Sequence, residues 1–398
     1  MTHYLDAECL AILEAIPPFP FSQIVRPKMT EANQEKKKFL ATGQPPHFSY
    51  PRAECFDVVG YLLALDKAKK QLQAIQIHPI IKDWYFEKIS ELQLRAKLIA
   101  CIQKKDDDHV TALSIKLYGE PLCSLHALSK EFTQSRATSK RAHIHRKKVD
   151  ASALKHLIEK RLADHHLTDW TVALTNGLTL KLKHGKSKTK PRILIPKKIL
   201  VSHKRAQRLL VHEIDIHAKR TENGRKSAIA LFGRGLPHYL KTEEGLAVYA
   251  QHQAFPHSKN RIPGFFDAWA VCLARSEDFQ QTFETLKKAK QKMFEDHHLK
   301  DSEKRAEDAA WRICLRTYRG ISHPNKKGLA FVQGHIYRDG YLEIAKAVQK
   351  EGPEILEKLM VGNVGLGNLE DISHMGLACQ AQAYSIAKTP LRRAKRSS

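Results

Sequence analysis

Cysteine spacing patterns are what this chain most plainly lacks. Its seven cysteines (Cys9, Cys55, Cys101, Cys123, Cys272, Cys314 and Cys379) are odd in number, scattered and never spaced C-x-x-C. A disulfide framework or a cysteine zinc ribbon is therefore not expected, and a reducing compartment fits better. They read as small core hydrophobes, with no catalytic thiol signature around them. No apolar run approaches the roughly 18 residues of a membrane-spanning helix. The opening stretch MTHYLDAECLAILEAIPPFP has acidic residues and no basic leader, so a secretory signal is not expected and a cytoplasmic protein is the default. Aromatic residues are 8% of the chain and are not interleaved with its basic runs, as a single-strand stacking platform would require. There is no internal repeat.

What is present in excess is positive charge, a formal +25 over 398 residues. Such a balance attracts nucleic acid, anionic membrane or an acidic protein tail. The charge concentrates in RAHIHRKK (Arg141 to Lys148), KHGKSKTKPR (Lys183 to Arg192) and the terminal LRRAKRSS. These suggest an interdomain linker, a hairpin tip and a frayed tail. The hydrophobic fraction of 42% supports a sizeable core, and the length suits two ordinary domains or one large one.

Periodicity divides the chain into an N-terminal helical region (1–135), a basic connector (136–149), a catalytic region (150–388) and a basic tail (389–398). DVVGYLLALDKAKKQLQAI and YFEKISELQLRAKLIACIQK place apolar residues at helical spacing. DASALKHLIEKRLADHH should be a helix capped by Asp150. The period then changes to alternation. WTVALTN and GLTLKLKHG flank Asn176-Gly177, a strong turn signal, and predict two paired strands, with a third at Arg192 to Ile195. A helix is expected from Ser202, its N-cap, to Gly224, its stop. Beyond Lys241 the chain reads as almost wholly helical to Lys388. The fold class is α+β, mostly helical, with a small sheet preceding the motif helix.

That helix carries RLLVHEIDIHAKR (Arg208 to Arg220). His212 and His217 are zinc-ligand types, and Glu213 is placed to act as a base on a bound water. Four-residue spacing, as in H-E-x-x-H, puts two imidazoles on one helix face. Five residues advance about 500°, leaving His217 about 140° from His212. A π-bulge between them would absorb the extra residue and restore a common face. Composition alone yields H-E-x-x-x-H roughly 0.06 times in a chain of this kind. TEEGLAVYAQ (Thr242 to Gln251) follows. Glu243 or Glu244 could supply a carboxylate as third ligand, and Gly245 would permit close approach to the metal helix. The two DHHL clusters (Asp164 to Leu167, Asp296 to Leu299) and the HIH of the connector are expected to hold no metal.

The segment HEIDIHAKRTENGRKSAIALFGRGLPHYLKTEEGLAVYAQ resembles the microtubule-associated tyrosine carboxypeptidase family. It is equally similar to bacterial relatives named for a QEGLA motif and described as flavohemoglobin expression-modulating. The shared order is H-E-x-x-x-H, N-G, G-L-x-x-Y and (Q/E)-E-G-L-A. PPHFSYPRAE and HVTALSIKLYGEP extend the likeness upstream; ICLRTYRGIS, FVQGHIYRDGYLEI and EKLMVGNVGLGNL extend it downstream. The resemblance implies a zinc ion bound by His212, His217 and Glu244, with Glu213 as general base. It also implies hydrolysis of a C-terminal tyrosine or glutamate from a protein or peptide tail, tubulin-like tails included. Asp215 and Ile216 stand where the family favours small residues, and Gly334-His335 where it tends to have Lys-Asp.

A carboxypeptidase needs a cation for the substrate's free carboxylate, which an arginine fork binds bidentately. Arg316 and Arg319 in LRTYRG and Tyr337 in HIYRDG are the candidates for carboxylate binding and oxyanion stabilisation. The strong positive charge suits an acidic tail. Two other functions compete with the peptidase. A non-catalytic regulatory or binding protein retaining the fold would have no need of Glu213. A charge-driven nucleic-acid binder would show steep salt dependence, but no nucleic-acid motif supports it.

Overall fold

The computed structural model describes residues 4–122, 124–134, 148–177, 180–183, 189–255 and 263–377. The first part is helical: α1 (Ala7–Ala15), α2 (Phe21–Ile24), α3 (Met29–Thr42), α4 (Pro51–Glu54), α5 (Val58–Ala74), α6 (Pro79–Gln103), α7 (Asp107–Tyr118) and α8 (Leu125–Gln134). Local chemistry sets several starts. Asp57 accepts the Gly60 N–H at 2.9 Å, and Asp106 that of His109 at 3.2 Å, each satisfying a donor the first turn leaves free. Pro51 and Pro79 open their helices, where a missing N–H costs nothing.

A small α/β unit follows. It comprises β1 (Lys148–Val149), α9 (Ala151–Asp164), β2 (Thr171–Thr175), β3 (Lys181–Lys183), β4 (Arg192–Pro196) and β5 (Val201–Ser202). Asp150 caps α9 through the Ala153 N–H at 2.9 Å. β1 pairs antiparallel with β5. β4 lies between β2, to which it is parallel, and β3, to which it is antiparallel. The hairpin predicted around Asn176-Gly177 is therefore not formed, because β2 and β3 are not neighbours. Ile193 and Ile195 are fully buried, so β4 takes the centre, and the more polar β2 and β3 become edges.

The remaining elements are α10 (His203–Leu210), a π-helical segment (Val211–Ala218), α11 (Lys219–Lys226), α12 (Leu231–Arg234), α13 (Leu240–Ala254), α14 (Phe265–Ala274), α15 (Phe279–Asp296), α16 (Ser302–Thr317), α17 (Ile336–Glu351), α18 (Glu354–Leu359) and α19 (Leu369–His374), with short 3-10 helices at Val332–His335 and Leu366–Asn368. The architecture is the mostly helical α+β fold read from the sequence. Residues 136–147 of the basic connector, the end of the helical stretch beyond 377 and the basic tail lie outside the described residues. No helix among the described residues is long and apolar enough to cross a membrane. Gly224 does not stop the motif helix, which runs to Lys226. Its missing side chain admits the Phe232 backbone, whose carbonyl carbon would lie 2.4 Å from a Cβ there.

Two apolar cores organise these elements. The larger joins Leu65, Tyr85 and Ile99 of the N-terminal helices to Leu246, Phe283, Trp311 and Ile344, so it crosses the boundary drawn at residue 135. The smaller gathers Leu154, Ile158, Trp170, Ile193 and Ile195. The motif helix is the seam between them: Leu210, Ile214 and Ala218 face the smaller core, Val211 and Ile216 the larger.

α13 and α17 cross at a pair of glycines. A Cβ on Gly245 would lie 2.2 Å from the Gly340 carbonyl carbon, and one on Gly340 2.1 Å from the Lys241 oxygen. Gly245 therefore admits α17, not the metal helix as the sequence suggested. Because the obstructing atoms are backbone, one methyl group must push the helices apart. Gly340→Ala is expected to destabilise the fold by about 1–3 kcal/mol or more, measured as a lower midpoint in denaturant unfolding with unchanged slope. A midpoint within error of wild type would show that the crossing tolerates separation.

Candidate metal centre

Ser202 starts the motif helix, its Oγ accepting the Arg205 N–H at 3.3 Å. Directly after α10 the backbone widens into the π segment, as the five-residue histidine spacing requires. The imidazoles of His212 and His217 then face each other, with ring centroids 4.6 Å apart and planes at 88°. Asp215 and Ile216, between the two histidines, hold the segment from behind. Asp215 accepts from Arg161 Nε and Nη2 at 2.7 and 2.5 Å and pairs with His165 Nε2 at 2.8 Å. Ile216 is fully buried in the larger core. Burial opposes the Asp215 charge, but bonds from His165 and Arg161 outweigh it and hold the carboxyl below its usual range.

Glu244 enters from α13. Its Oε2 lies 3.2 Å from His212 Nε2 and 3.7 Å from His217 Nε2. The ligand atoms of His212, His217 and Glu244 all lie within 4.8 Å of one another, and among the described residues no other group of three His, Cys, Asp or Glu side chains converges in this way. Glu244 Oε2 is buried yet forms a hydrogen bond with no described residue. An orphaned carboxylate oxygen between two imidazole nitrogens suits a borderline-soft divalent cation, and two nitrogens with one oxygen are a donor set zinc accepts. Burial opposes the Glu244 charge, but the two imidazoles hold its carboxyl far below the usual carboxylate range. Burial also pushes the neighbouring Glu213 carboxyl up, against the pull of both histidines.

Glu243, adjacent in sequence, does something different. Its Oε1 bonds His217 Nδ1 at 2.5 Å, behind the ring, and its Oε2 accepts from Arg220 Nη1. Arg220 is fully buried and donates its other N–H groups to the carbonyls of Leu359 at 2.9 Å and Val364 at 2.7 Å. The sequence could not separate Glu243 from Glu244 by spacing. The structure does so by direction, since helical neighbours point about 100° apart. Glu243 orients the imidazole, the role an outer carboxylate plays for ligating histidines. Burial disfavours the His217 cation, but Glu243 and then Glu244 raise its pKa well above the ordinary value.

Tyr337 stands at the start of α17. The Glu244 charge, then burial, raise its phenol well above its usual pKa, and the Glu213 charge adds to this. Arg319 lies within electrostatic reach of Tyr337, and burial together with Arg26 and Arg316 lowers its pKa to about 10. Its Nη1 donates to Gln333 Oε1 at 3.2 Å. Arg316 is already paired, Nε and Nη2 donating to Asp267 Oδ1 at 2.8 and 2.5 Å. His335 is a buried tie. It pairs with Asp339 Oδ2 at 2.7 Å and the Gly119 carbonyl at 3.1 Å. Of the DHHL residues, His165 serves Asp215; the HIH cluster lies outside the described residues.

A family model described as microtubule-associated tyrosine carboxypeptidase matches residues 37–378, a span that contains every motif quoted above. No curated protein matches the chain.

Arg220→Met leaves the Glu243 carboxylate buried without its guanidinium, so a loss of about 3–5 kcal/mol is expected in chemical denaturation. Adding Glu243→Gln should recover part of that loss in a double-mutant cycle. Strict additivity would show that the two side chains do not act as a pair.

Proposed function

The chain belongs to the microtubule-associated tyrosine carboxypeptidase family, and from that premise we propose a zinc-dependent carboxypeptidase acting on acidic protein or peptide tails. The residue removed is a C-terminal tyrosine or glutamate, and tubulin-like tails are the model substrate. The observation that carries this reading is the convergence of His212, His217 and Glu244 beside Glu213. A scaffold that only binds has no use for that fourth residue.

His212, His217 and Glu244 would hold the ion, with Glu243 and Arg220 fixing the His217 ring. A zinc ion held there would supply Lewis-acid polarisation of a peptide carbonyl and a lowered pKa for water. Glu213 takes the proton from the attacking water and later hands it to the nitrogen of the departing residue. Tyr337, whose phenol feels the charges of Glu244 and Glu213, serves the oxygen on which negative charge develops. Arg319, not Arg316, is left to receive the substrate carboxylate, because Asp267 already neutralises Arg316. The formal charge of +25 favours encounter with an acidic tail. The free thiols of Cys9, Cys55, Cys101, Cys272 and Cys314 accord with a cytoplasmic setting.

Elemental mass spectrometry of untagged protein should find about one zinc per chain in the wild type and in Glu213→Gln, and none in His217→Ala. Peptides ending in tyrosine or glutamate should lose that residue with the wild type only, Glu213→Gln being slower by at least about 100-fold. Wild-type protein that stays metal-free after zinc addition would sink the peptidase and favour a binding protein on the same fold.

A further inference from the structure

Arg26, in the segment joining α2 to α3, precedes the stretch that matches the family model. Its Nε is buried and bonds to no described residue, and no carboxylate among the described residues pairs with its guanidinium. A buried guanidinium donor without an acceptor is costly and calls for an explanation. Its electrostatic neighbours are Arg52, which lowers its pKa after burial, and Tyr337, which raises it. Arg26 is also the charge that acts most strongly on Arg319, and Arg319 has only the neutral Gln333 as a hydrogen-bond partner among the described residues. Lys181 of β3, the strand packed against the π segment, feels both Arg26 and Arg52. Four cations from separate parts of the chain thus lie within electrostatic reach of one another, and Tyr337, which feels Glu244 and Glu213, is within reach of both Arg26 and Arg319; the pairings among the described residues include no acidic partner for either arginine. Arg316, by contrast, has Asp267. Like charges gathered without counter-charges are a site prepared for an anion.

We propose that Arg26 and Arg319 form a two-arginine clamp for the free α-carboxylate of the substrate's terminal residue, Arg26 being a specificity residue supplied by the N-terminal segment. The clamp rests on the carboxypeptidase reading and adds to it the residue that distinguishes a chain end from an internal peptide bond. Arg52 and Lys181 extend the same wall towards acidic side chains upstream of the cleaved bond.

The test uses zinc-loaded, full-length Glu213→Gln, which binds peptide without consuming it. Its affinities are compared for one acidic peptide ending in tyrosine and for the same peptide with an amidated C-terminus. The free acid should bind tighter by about 10- to 100-fold. Adding Arg26→Met should erase most of that ratio, with zinc content and unfolding midpoint unchanged, and Arg26→Lys should restore part of it. A ratio left intact by Arg26→Met would overturn the clamp while leaving the carboxypeptidase standing. No preference for the acid in Glu213→Gln itself, with the wild type failing to release tyrosine, would overturn the reading beneath it. Should Arg26→Met lower the midpoint, the acid-to-amide ratio of Arg26→Lys decides: a full ratio with a shifted charge position would refute a geometric clamp.

Discussion

The contact between Arg220 and Glu243 governs the centre. Burying two opposite charges costs several kcal/mol per ion unless geometry and further hydrogen bonds offset the loss of water. Here the offset is nearly complete: the guanidinium also reaches two backbone carbonyls, and the carboxylate also reaches an imidazole. The pair thereby links the motif helix, α13 and the loop around Leu359 to Val364 through one charged side chain. The ring that should face a metal cannot rotate without breaking a bond to a carboxylate that is itself fixed. Rigidity reaches the site from the fold's interior in three hydrogen-bonded steps.

The seam position of the motif helix explains how a π segment survives. Widening a helix by one residue weakens its packing unless both flanks are occupied. The smaller core fills one flank with Ile214 and Ala218, and the larger fills the other with Ile216. Asp215 points away from the histidines into Arg161 and His165. The residues between the histidines are therefore the contacts that keep the extra residue accommodated. The N-terminal helices are part of this support because they build the larger core.

Much of the centre was legible in the sequence because its logic is local. Spacing and helix geometry pointed to a π segment, and a carboxylate was expected from the next helix. Choosing Glu244 over Glu243 needed either the motif or the structure, since adjacent residues have no distinguishable spacing. Arg220 was invisible because its acceptors, Leu359 and Val364, are backbone carbonyls far along the chain. The strand order failed for the opposite reason. Asn176-Gly177 is a strong local signal, but the most apolar strand, β4, claimed the middle of the sheet. Arg26 carried no motif, and only tertiary packing reveals that it lacks a counter-charge among the described residues.

The glycine crossing has a consequence for how this molecule can change over generations. Glu244 precedes Gly245 by one residue and Tyr337 precedes Gly340 by three, so two side chains of the proposed chemistry are carried on backbones in direct contact. In an ordinary helix pair, a bulkier residue on one side can be accommodated by a smaller one opposite. Here both partners are already the smallest residue there is, and no second substitution can make room for the first. The separation of the two helices is consequently closed to gradual adjustment. Variation in what the enzyme accepts must come from other positions around the centre, where side chains can still be exchanged for one another.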